Sequence, residues 1–88
     1  GKARESLAYL EQALRARESF VQAAPESSED RYELGRAYTA QAATYLRLGL
    51  CAQAAGFAEK AREIFQSTNQ KVSLAKLQKL PACAAARR

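Results

Sequence analysis

Apolar residues recur at helical spacing in four stretches of this chain, and polar or turn-forming residues separate them. In the first stretch Ala3, Leu7, Leu10, Leu14 and Val21 repeat at intervals of three, four and seven, with Arg17 interrupting. This almost heptad seam predicts an amphipathic helix from Ala3 to Ala23. Tyr9, Ala13, Ala16 and Phe20 form a second apolar stripe beside the seam, which predicts two packing neighbours. Pro25 disfavours helix at Ala24 and ends the segment. Ser27 followed by Asp30 has the spacing of a capping box, and Glu29, Asp30 and Glu33 place negative charge where a helix dipole favours it.

A second helix is predicted from Ser28 to Leu48, with Leu34, Tyr38, Gln41, Tyr45 and Leu48 on one face, and Gly49 fits its C-cap. The third runs from Cys51 to Gln66 and offers Ala54, Phe57, Ala58, Ala61, Ile64 and Phe65 as its contact face. The short break between these segments forces an antiparallel hairpin. Ser67, Thr68, Asn69 and Gln70 form the next break and contain N-capping residue types. The fourth helix, Gln70 to Leu80, sets Leu74, Leu77 and Leu80 on one side and Lys71, Lys76 and Lys79 on the other; Pro81 stops it. The expectation is one all-α domain over residues 1–80, with 81–88 a disordered basic tail.

Composition agrees with helix and narrows the core. Of the 88 residues 20 are Ala and 10 are Leu, whereas Val and Ile are scarce. So few large apolar side chains make a thin core, which close helix packing must compensate. The chain lacks Met and starts within a helical pattern, which suggests a piece of a larger protein. No run reaches the roughly 18 apolar residues of a membrane span. Cys51 and Cys83 form no CxxC pair and are expected to be free thiols in a reducing, intracellular and cytoplasmic setting.

Small residues on the third helix let its backbone approach the second, while Tyr38, Tyr45, Phe57 and Phe65 fill the remaining space. Tyr38, Ala42, Tyr45, Gly49, Ala54, Ala58 and Ala61 fall at the spacings of a tetratricopeptide repeat (TPR), and the hairpin from Gly35 to Gln66 resembles that family. Leu34, Gly35 and Tyr38 repeat the first-helix pattern two turns early, and Gln66 stands where the family has Pro. The first helix resembles the second helix of a preceding repeat, and the fourth resembles a capping helix. The resemblance implies antiparallel hairpins in a TPR-like right-handed stack. A small helical bundle of four helices is the alternative.

The formal net charge of +5 is unevenly spread: residues 1–70 hold nine basic and nine acidic side chains, and the excess is Lys71, Lys76, Lys79, Arg87 and Arg88. With no histidine, and no nucleophile-elbow or phosphate-loop pattern, the chain is not expected to be an enzyme or to carry a cofactor or metal. Lys71, Lys76 and Lys79 are candidates for an anionic contact, yet no stacking aromatics accompany them, and nucleic acid is not the expected partner.

What remains is protein–protein interaction, as a scaffold or adaptor. Tyr32, Arg36, Thr39, Ala43 and Arg47 lie about 200° around the second helix from its apolar seam and form the candidate partner-binding stripe. Two arginines flanking small Thr39 and Ala43 predict a peptide or helix ligand with acidic and bulky apolar residues. The alternative function is a self-associating bundle, an oligomerisation or regulatory element, suggested by the near-heptad seam of the first helix.

Overall fold

The computed structural model describes residues 2–80, without the side chain of Ala3; the segment expected to form a basic tail lies outside the described residues. Four helices follow in order: α1 (Lys2–Ala23), α2 (Ser28–Arg47), α3 (Cys51–Ser67) and α4 (Lys71–Gln78). There is no strand among the described residues. The architecture is a small all-α bundle in which α2 packs on both α1 and α3, and α4 packs on α3. Sequence-neighbouring helices run antiparallel, so Glu18 meets Tyr38, and Tyr45 meets Phe57. No described helix is long and apolar enough to cross a membrane.

The helix ends show local chemistry setting the turns. Ser27 caps α2 by accepting the Asp30 N–H at 3.1 Å. The capping box is only half formed, because the Ser27 N–H donates instead to the Ala24 carbonyl at 3.0 Å. At the other end Gly49 takes φ +76°, and the Leu50 N–H reaches the Tyr45 carbonyl at 2.9 Å while the Gly49 N–H reaches Leu46 at 3.1 Å. These two bonds make a Schellman motif, with glycine at the left-handed position. Asn69 does the same after α3, at φ 57°, with the Gln70 N–H on the Phe65 carbonyl at 2.8 Å. The break after Ser67 therefore terminates α3, and α4 starts at Lys71, with Gln70 at the N-cap position and no side-chain cap.

The hairpin α2–α3 holds most of the core. Ala54, Ala61 and Phe65 from α3 are buried against Leu34, Gly35, Tyr38 and Ala42 of α2, and Ala58 is half-buried. The Phe57 ring stacks on both tyrosines, at 6.0 Å from Tyr38 and 5.3 Å from Tyr45. Phe65 lies directly over Gly35, where a Cβ would stand 2.6 Å from its Cε1 atom. Only a residue without a side chain admits the ring this closely, so the glycine serves packing here, inside a helix, at a propensity cost of about 1 kcal/mol.

The seam of α1 faces α2: Leu14 is buried, and Leu7, Leu10, Arg17 and Val21 are half-buried. Tyr38 ties the two helices by donating its hydroxyl to a Glu18 carboxylate oxygen at 2.9 Å. Burial, joined by that hydrogen bond and the nearby Glu18 charge, raises the Tyr38 pKa to about 12. The second stripe of α1 does not find the neighbour its pattern predicts, and Tyr9 and Phe20 stay exposed. The seam that suggested self-association is thus occupied by α2.

One other expectation changes: Cys51 is disulfide-bonded rather than a free thiol, which removes its support for a reducing compartment; Cys83 lies outside the described residues. Gln41 is buried on the face of α2 where its spacing placed it, and neither its Nε2 nor its Oε1 has a hydrogen-bond partner. An unpaired buried amide costs about 1–3 kcal/mol.

Two stability outcomes follow from this packing. Ala61, with no exposed surface, has no room for a larger group. Ala61→Leu overpacks the hairpin and lowers stability by about 1–3 kcal/mol in urea denaturation; an unchanged midpoint would contradict the close approach of α2 and α3. Gln41→Leu, similar in volume and without polar atoms, raises stability by about 1–2 kcal/mol. A loss there would mean that the amide is paired in solution.

Candidate functional site

The predicted stripe on α2 forms a ridge between two grooves. Tyr32, Arg36 and Thr39 open onto one side, together with Phe65 of α3 and Ser73 and Lys76 of α4. Ala43 and Arg47 open onto the other, with Ala40 and Thr44 of α2 and Glu5, Ser6, Tyr9 and Leu10 of α1. The five residues therefore share a helix face but not a single binding surface. Arg36 and Arg47 are exposed, and Tyr32, Thr39 and Ala43 are half-buried.

The α2–α4 groove encloses about 150 Å³. Its floor is aromatic, with the Tyr32 and Phe65 rings 6.1 Å apart and inclined at 52°. Arg36 lies over the Tyr32 ring, 6.0 Å from its centroid, and its Nη1 is 3.4 Å from Glu33 Oε1. With 61% of the Arg36 side chain exposed, that ion pair contributes little to stability and still orients the guanidinium. Thr39 donates its hydroxyl to the Gly35 carbonyl at 2.9 Å, which leaves its oxygen only an accepting role. Lys76 sits in the last turn of α4, where the dipole favours a cation. Basic residues from two helices, Arg36 and Lys76, thus line a groove that also holds two aromatic rings, and no carboxylate lines it.

The α1–α2 groove is larger, at about 640 Å³, but chemically sparse. Its only charged linings are Glu5 and Arg47, and Arg47 already donates to the Thr44 hydroxyl at 3.3 Å. A third depression, between α3 and α4, is lined by Ala55, Ala58, Leu74 and Leu77, with Glu59 and Arg62 paired at its edge. Size singles out the α1–α2 groove, whereas converging polar groups single out α2–α4. Orientation and specificity come from the polar groups, so the smaller groove is the better candidate site.

The lysine face of α4 divides in the same way. Lys71, Lys76 and Lys79 are all exposed, but Lys76 alone of the three lines the groove. Phe65 and Ser73 were missing from the candidates read along the chain. The signal for Ser73 and Lys76 is their one-turn spacing: once Leu74 and Leu77 seat α4 on α3, those two side chains turn toward α2.

Among the described residues no group of three or more His, Cys, Asp and Glu side chains is placed to hold a metal ion. Set against protein-family models, curated proteins and solved structures, the chain matches none.

Proposed function

We propose that this chain is a protein–protein interaction module, of the scaffold or adaptor kind, that takes an acidic and apolar peptide segment in the α2–α4 groove. The observation that carries this reading is one groove lined by Arg36 and Lys76, from different helices, together with the Tyr32 and Phe65 rings. A volume near 150 Å³ matches one side chain about the size of benzene. Leu or Phe fills that space, and carboxylates on either side meet the guanidinium and the ammonium. The consecutive antiparallel packing of α1 to α4 supports the TPR-like reading, in which such a groove lies between the first helices of neighbouring hairpins.

Charge does more than add affinity here. The body of the chain is neutral through residue 70, so the positive potential is concentrated at α4. An acidic ligand is therefore steered toward one end of the molecule, at a rate that falls with salt.

The reading is tested by fluorescence anisotropy with a labelled ten-residue peptide carrying Leu or Phe between Asp and Glu residues. Arg36→Glu and Lys76→Glu each weaken binding by about tenfold or more, because the contacts are partly desolvated. Lys71→Glu and Lys79→Glu, outside the groove, change it by less than about threefold, the size of a surface charge effect. Equal losses at all three lysines would reduce the site to a diffuse positive patch. No binding by the unaltered chain, or binding unaffected by Arg36→Glu with Lys76→Glu, contradicts the reading.

A further inference from the structure

On α1, packing of the leucine seam against α2 leaves the second stripe outside. Tyr9 is 72% exposed and Phe20 52%. Between them Ala16 is exposed and Ala13 half-buried. Single exposed apolar residues are ordinary; the order of these four is not. Positions 9, 13, 16 and 20 read aromatic, alanine, alanine, aromatic, at spacings of four, three and four. Size and spacing are the same from either end. The four fall within about 60° of one another around the helix. Gln12 and Ser19 flank the strip on one side and Arg17 on the other, while the four strip residues themselves are uncharged in a chain of net +5.

We propose that α1 pairs antiparallel with α1 of a second copy, about a two-fold axis midway between Leu14 and Arg15. Tyr9 of each copy lies on Phe20 of the other, and Ala13 lies on Ala16. A two-fold interface uses one patch twice, so the patch must complement itself. A palindromic strip does so: the central alanines let the helix axes approach to the near end of the usual 8–10 Å, and the rings close over both ends. Pairing about that axis sets Arg17 of each copy opposite Gln12 of the other, so two positive chains meet without like charges opposed at the contact.

The area sets the strength. Four partly exposed rings contribute on the order of 500 Å² and the small alanines add little, so the contact falls below the ~1,000 Å² of stable specific interfaces. The dimer is therefore weak and concentration-dependent. The α2–α4 groove contains no α1 residue, so dimer formation and peptide binding are independent claims.

Sedimentation velocity of the full chain, from about 10 μM to about 1 mM, spans the range expected of so small an interface. The chain passes from monomer to dimer across that range and stops there. Tyr9→Glu and Phe20→Lys each weaken the dimer about tenfold or more. Combined in one chain they restore it, because each new carboxylate then faces a new ammonium of the other copy. Both positions are exposed, and unchanged far-ultraviolet dichroism verifies folding; the unaltered chain's concentration series stands without the variants. A monomer at the highest concentration overturns the proposal, as does a dimer indifferent to both single substitutions. Loss without recovery in the double variant, or association that continues beyond the dimer, overturns the two-fold pairing.

Discussion

The contact between the Phe65 ring and the backbone of Gly35 is the constraint on which the rest of this small structure depends. It sets how closely α3 approaches α2, and that approach encloses Ala61 completely and Ala54 almost so. It also brings Phe57 between Tyr38 and Tyr45 as a three-ring stack along the hairpin. With so few large side chains available, close approach replaces bulk: dispersion contacts spread over many small residues do the work of a larger core. The same ring floors the α2–α4 groove, so core and candidate site share one side chain.

Much of the fold was legible along the chain because its causes are local. Periodicity located the four helices within a few residues, and the apolar faces of α2, α3 and α4 are those the spacing indicated. Gly49 announced its left-handed cap. Asn69 misled because one residue type serves two local roles: it caps helix starts with its side chain and tolerates the left-handed conformation at helix ends. The unpaired burial of Gln41 was hidden, since spacing says which face a residue occupies and not whether a partner waits there.

The candidate site was legible only by halves. Helical geometry put Tyr32, Arg36, Thr39, Ala43 and Arg47 on one face, and that holds. Division of the face between two grooves depends on where α1 and α4 lie beside α2, and no local pattern states this. Lys76 illustrates the gap: along the chain it is one of three equivalent lysines, and in space it stands across the groove from Arg36. Tyr9 and Phe20 illustrate the converse, an apolar pattern that promised an internal neighbour and instead remains on the surface.

The central claim, that ring-on-glycine packing governs the hairpin, is tested most directly by a double-mutant cycle between Gly35 and Phe65, read by urea denaturation. In the unaltered chain Gly35→Ala adds a Cβ that collides with the ring, an overpacking cost of about 1–3 kcal/mol that outweighs the roughly 1 kcal/mol gained in helix propensity. Phe65→Leu removes the Cε1 and Cζ atoms that lie nearest that Cβ. In that background the collision is gone, the propensity gain remains, and Gly35→Ala stabilises the protein. The account predicts this reversal of sign; an equal loss in both backgrounds would show that the two residues do not meet as described.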